Sequence, residues 1–214
     1  MDEELSALDQ STRAQKVKDF FVKFKKRIFS LFGVILFITF GYFVYVDLQK
    51  KNKIKIADMY NQITTNYYSG IEKNIEKQMI QIIKEKDKTY SPLSLYFLLE
   101  NEIIKDSDKI NELFDVLINE INVEKEIKNL IIYKKALFNA DSIDENSLLN
   151  ILNPLINSKS IWKGQALFLM AEYFYSNNEK EKAKEFYNQI IILENTNRDL
   201  KVEAQKRLNR DLSE

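Results

Sequence analysis

Cysteine and histidine are absent from this 214-residue chain, and glycine and proline are scarce, at four and two. Each absence excludes chemistry. Without cysteine there is no disulfide, zinc-thiolate site, thiol nucleophile or thioether lipid anchor. Without histidine there is no Ser-His-Asp arrangement and no imidazole general base. Four glycines leave little for phosphate-cradling loops, hairpins or sheet bulges. Charge of one sign is missing too: 32 basic residues balance 32 acidic ones, so nothing draws the whole chain toward nucleic acid. No calcium loop, phosphate loop or metal-ligand spacing appears. The expectation is a non-enzyme with no catalytic residues, no metal and no cofactor, built as an all-α interaction protein.

What is present begins with an apolar run. Residues 28–46, starting at Ile28 and ending at Val46, read IFSLFGVILFITFGYFVYV and hold no charge. As a helix they span about 28 Å, close to the hydrocarbon core of a bilayer. Ser30 and Thr39 can bond back to the helix's own carbonyls. Tyr42 and Tyr45 sit near one end, where amphipathic rings favour the interface. The alternative is a buried core helix, but this run is apolar on every face and has basic flanks. It also exceeds the apolar core of a cleavable signal, and Tyr42 to Val46 offers no small residues for cleavage. A retained anchor in the lipid bilayer is expected.

Flanking charge sets the orientation. Residues 13–27 carry seven basic side chains, and residues 47–61 carry four: Lys50, Lys51, Lys53 and Lys55. The positive-inside bias places residues 1–27 in the cytoplasm and residues 47–214 beyond the membrane. Zero net charge thus conceals +2 before the run and −2 after it. Just before the run, Val17, Phe20, Phe21, Phe24 and Ile28 recur at helical spacing among lysines. That pattern suits either a basic amphipathic segment at the headgroup level or the start of the anchor helix itself.

Everything after Val46 reads as helix, with no convincing alternation of a strand. Breaks fall at Ser69-Gly70, 86–91, 106–108, Asn122, 140–144, 158–160, Asn177-Asn178 and 195–197, leaving helices of roughly 13–20 residues. Ser91 before Pro92 reads as a cap, and Ser142 with Glu145 and Asn178 with Glu181 have capping-box spacing. Pro154 is expected to kink or split its segment. Runs such as Glu179-Lys180-Glu181-Lys182 read as solvated faces with local pairing. Glu100 and Glu102 point to different helix faces, which argues against a shared acid-base site.

Helix pairs at steady intervals suggest a solenoid. In residues 164–197, Leu167, Met170, Ala171 and Phe174 share one face, and Ala183, Phe186, Tyr187 and Ile190 share another. An earlier unit carries Ala136, Leu148, Leu152 and Leu155 at similar spacing. The pattern Leu167, Ala171, Phe174, Ala183, Tyr187 resembles a tetratricopeptide repeat, with alanine for the usual glycine, Ile190 for a small residue and Asn195 for proline. The wider layout is an acidic start, the lead-in DFFVKFKKR, one span ending in GYFVY, and a repeat-like domain. It resembles the bacterial ancillary SecYEG translocon subunit family. That resemblance implies a single-pass inner-membrane protein in three parts: 1–27 cytoplasmic, 28–46 transmembrane, and 47–214 a periplasmic tetratricopeptide-repeat-like domain. It further implies association with the SecYEG translocon and a membrane-anchored periplasmic chaperone, assisting exported proteins. Two rivals share the residues: a repeat scaffold of another envelope complex, in envelope biogenesis or cytochrome maturation, and a membrane-anchored enzyme.

One protein-binding site is expected. Gln165, Phe168, Glu172 and Tyr175 lie beside the packing stripe of their helix, where tetratricopeptide repeats line a concave groove. Tyr133 and Leu137 extend that surface through the preceding pair. Aromatics there supply contact area, with Gln165 and Glu172 adding polar selectivity. The alternative is that Phe168 and Tyr175 pack against the neighbouring helix pair.

Overall fold

A computed structural model describes residues 2–71, 73–194 and 196–212, with side chains described at 15, 18, 22–27, 29–71, 73–194, 196–210 and 212. Every regular element among them is an α-helix: α1 (Asp2–Tyr68), α2 (Ile75–Lys84), α3 (Tyr90–Glu100), α4 (Ser107–Asn119), α5 (Lys125–Asn139), α6 (Glu145–Ile156), α7 (Lys163–Ser176), α8 (Lys180–Ile192) and α9 (Arg198–Asp211). The chain divides into two compact units, Met1–Lys55 and Ile56–Glu214.

In the first unit, residues 29–46 of α1 are exposed throughout, including Phe29, Phe37 and Phe40. α1 is the one helix among the described residues long and apolar enough to cross a membrane. Thr39 Oγ1 donates to the Ile35 carbonyl at 2.7 Å, so this polar side chain is satisfied within its own helix. Side chains at Val17, Phe20, Phe21 and Ile28 lie outside the described residues. Phe24 is described, with the Lys23 ammonium and the Arg27 guanidinium over its ring.

The second unit has two apolar clusters. Ile56 and Ile63 of α1 join Met79, Ile82 and Ile83 of α2, Leu95 and Leu98 of α3, and Phe114 and Leu117 of α4. Ala136, Leu148, Leu152 and Leu155 join Leu167, Met170, Ala171 and Phe174 of α7 and Ala183, Tyr187 and Ile190 of α8. α5 serves both, giving Ile131 to the first and Ile132 with Ala136 to the second. From α2 onward each helix packs on the next, and contacts also join α2 to α4, α5 to α7 and α7 to α9. Helices α3, α5, α7 and α9 start at Tyr90, Lys125, Lys163 and Arg198, intervals of 35, 38 and 35 residues.

Helix ends differ from expectation in instructive ways. Helices α2 to α9 run 10–15 residues, at the short end of the expected range, with α2, α3 and α6 falling below it. Ser91 lies inside α3 and donates to the Ile82 carbonyl, while the Asp87 carboxylate accepts the N–H groups of Thr89 and Tyr90. Asp144 caps α6 by accepting from Ser147 N–H, so Ser142 does not form the expected box. Asn178 closes α7 rather than opening α8. Its φ is +61°, and Asn178 and Glu179 donate to the carbonyls of Tyr175 and Phe174. The same closure recurs at Gly70 and at Glu102 (φ +52°). α6 continues through Pro154 and ends two residues later, where the missing N–H removes only one late helical bond.

Candidate functional site

The predicted surface begins on α7, whose stripe of Leu167, Met170, Ala171 and Phe174 is buried against the second cluster. Turning round the helix brings Phe168, Glu172, Tyr175 and Gln165 to the flank beside that stripe. Phe168 and Tyr175 are half-buried and pack on the second cluster, and Phe168 meets the Tyr187 ring edge-on at 5.6 Å. The Glu172 carboxylate accepts the Tyr187 hydroxyl from α8 and lies 3.2 Å from Arg207 Nε of α9. Gln165 is half-buried, and its Oε1 is buried without a hydrogen-bond partner. Phe168 and Glu172 therefore lie on the side of α7 that meets α8 and α9.

The two α5 residues make their contacts elsewhere. Tyr133 stacks on Trp162 at 5.9 Å, and burial pushes its phenol pKa upward. Trp162 Nε1 donates to the Glu126 carbonyl. Leu137 is exposed, 53 % of its surface open, and lines a recess of about 180 Å³ with Tyr96, Leu99, Glu100, Phe114, Lys134 and Phe138. Burial pushes the Tyr96 phenol up to about 12, and the Lys134 ammonium sits 4.7 Å from its ring centroid. Glu100, considered above with Glu102 as a carboxylate pair, lines this recess. Glu102 stands in the turn that closes α3.

A larger groove, about 820 Å³, lies between α2, the turn after α3 and the start of α4. Tyr67, Ile80, Gln81, Lys84 and Lys109 are among its lining residues, and none was expected from the sequence. Lys109 is held there by Glu76 at 2.6 Å. Lys77, Ile80 and Lys84 recur at helical spacing, the signal from which this face was readable.

No family model, curated protein or solved structure matches this chain. Among the described residues, no group of three or more Asp and Glu is placed to hold a metal ion. What the site offers is surface: a half-open apolar recess, an aromatic stack and carboxylates engaged in hydrogen bonds.

Buried polar groups are spent on holding helices together. Asn111 and Asn139 exchange amide hydrogen bonds at 3.0 and 2.8 Å, joining α4 to α5. Ser160 donates to Glu126 at 2.8 Å and accepts from Asn129 at 2.9 Å, fixing the loop before α7 to the start of α5. The Ser160 hydroxyl is the main reason the Glu126 carboxyl titrates below its usual range, and the Asn129 amide and Ile161 N–H add to it.

Proposed function

We propose that the chain is a single-pass membrane protein that presents a tetratricopeptide-repeat-like α-solenoid for protein binding, beyond the membrane from residues 1–27. The carrying observation is the juxtaposition of an apolar stretch with no protein cover and a helical unit whose odd-numbered helices recur at 35–38 residues. That recurrence approaches the 34-residue period of tetratricopeptide repeats. Contacts between alternate helices, α5 with α7 and α7 with α9, are those a stacked array makes. An uncovered apolar stretch of this length is stable in lipid and a liability in water.

In this reading residues 28–46 anchor the chain in a bacterial inner membrane, residues 1–27 are cytoplasmic, and the helical unit works in the periplasm. Its place is beside the SecYEG translocon and a membrane-anchored periplasmic chaperone, where it assists exported proteins. The family layout, DFFVKFKKR through GYFVY followed by the repeat-like unit, supports that placement. Binding uses the surface around Leu137, where the apolar side chain is open, and the protein is not an enzyme.

The experiment is crosslinking in intact membranes, comparing the natural chain with Leu137→Glu. Leu137 is exposed, so the substitution keeps the fold and changes only the recess. The expected result is recovery of translocon subunits or periplasmic chaperones, reduced several-fold by Leu137→Glu. Steady recovery of a different envelope complex in their place would overturn the placement.

A further inference from the structure

The second basic cluster, Lys50, Lys51, Lys53 and Lys55, is the feature the scaffold reading leaves unused. All four side chains are exposed on α1. Of these four lysines, only Lys51 has an ion-pair partner among the described residues, Asp47 at 2.7 Å. At 1.5 Å per residue, Lys50 stands about 6 Å past Val46 along the helix and Lys55 about 14 Å past it. The headgroup layer is about 5–8 Å deep on each side of the hydrocarbon core. Lys50 and Lys51 therefore reach headgroup depth, and Lys53 and Lys55 lie within about one screening length above it.

Angular spread decides what these lysines face. At 100° per residue, positions 53, 50, 51 and 55 cover roughly 200° of the helix circumference. A partner docking on one side would meet a stripe, as at i, i+3, i+4 spacing. An arc this wide matches a ligand that surrounds the helix. With Asp47 offsetting one charge, residues 47–55 carry net +3. We infer that Lys50, Lys51, Lys53 and Lys55 form a collar that binds phosphate groups of anionic lipids in the leaflet on the side of the helical unit. The collar rests on the reading of residues 28–46 as a span.

Two consequences separate the collar from ordinary solvated lysines. Anionic lipid is enriched next to the helix on this side as well as beside Lys23, Lys25, Lys26 and Arg27. Asp47 acts as a brake, since its carboxylate occupies Lys51 and repels phosphate.

The natural absence of cysteine makes the test clean. The full-length chain carrying Asn52→Cys is labelled with a donor fluorophore and reconstituted into phosphatidylcholine vesicles containing phosphatidylglycerol. Energy transfer is compared for acceptors on phosphatidylglycerol and on phosphatidylcholine headgroups. The expected result is preferential transfer to phosphatidylglycerol, corresponding to several-fold enrichment and abolished by high salt. Substituting all four lysines by glutamine removes the preference at position 52. The same four substitutions leave it intact for a label at Ser30→Cys, beside the other basic cluster. Asp47→Asn increases the preference. Equal transfer to both lipids in the natural background, or a preference unchanged by the four substitutions, overturns the collar. Alkaline carbonate treatment of the same vesicles reports on the span: extraction sinks the span reading and the collar with it, whereas retention without enrichment sinks the collar alone.

Discussion

Glu102 shows how individual residues absorb the shortage of glycine. It takes φ +52° to close α3, with N–H groups of Glu102 and Ile103 bonding the carbonyls of Leu99 and Leu98. A side chain in this region costs about 1–2 kcal/mol, partly offset by the lower unfolded-state entropy of a residue with Cβ. Glu102→Gly is expected to raise unfolding free energy by about 0.5–1 kcal/mol, read by urea denaturation of the helical unit. Glu126 provides a pH-dependent contrast. Its folded pKa lies below the unfolded value because Ser160 donates to the carboxylate. Its stabilisation is thus complete above the usual carboxylate range and fades as pH falls through the lower folded pKa. Glu126→Gln should flatten that part of the stability–pH curve, and Ser160→Ala should weaken the same dependence. An unchanged acid limb in both variants would show that the loop before α7 is held by other contacts.

At the scale of elements, α7 approaches the start of α9 closely at Gly164. A Cβ on Gly164 would lie 2.1 Å from Thr196 Oγ1 and 2.9 Å from Leu200 Cδ2. Gly164→Ala gains about 1 kcal/mol of helix propensity but forces Thr196 and Leu200 to move. The substitution is expected to destabilise the natural chain and to be relieved in a Thr196→Ala background. A double-mutant cycle should give a coupling of about 1 kcal/mol or more, and additive effects would argue against the close approach. Helix faces themselves follow from the sequence. Leu167, Met170, Ala171 and Phe174 were readable as one stripe, and all are buried. Helix ends were less readable, because Asp144 outcompetes Ser142 as a cap and Asn178 adopts the left-handed turn instead of starting α8. Several side-chain oxygens within reach of one end look equivalent until the chain direction is known.

For the whole molecule, topology is the deciding measurement. Reporter fusions after Glu214 are expected to be active outside the cytoplasm and silent within it. The reverse pattern would make the helical unit a cytoplasmic adaptor and remove its place beside periplasmic chaperones. The candidate site was legible in part. Periodicity placed Phe168, Glu172 and Tyr175 beside the packing stripe of α7. It gave no warning that Tyr187 and Arg207 would engage Glu172, or that Tyr133 would stack on Trp162. The basic residues at each end of the apolar run were visible throughout. Their spread round the helix becomes evident only when positions 50–55 are read as turns of α1.

Local sequence by itself determined the all-helical character, the uncovered apolar run and which residues of α7 and α8 turn inward. All three depend on side chains within a few turns of one another. Tertiary structure decided which flank of α7 meets other helices, which turns tolerate a Cβ, and which buried polar groups find partners. Those outcomes depend on pairs such as Glu126 with Ser160 and Asn111 with Asn139, separated by 34 and 28 residues. A pattern that repeats every 3.6 residues records the direction of a side chain, and carries no record of what arrives from so far along the chain to meet it.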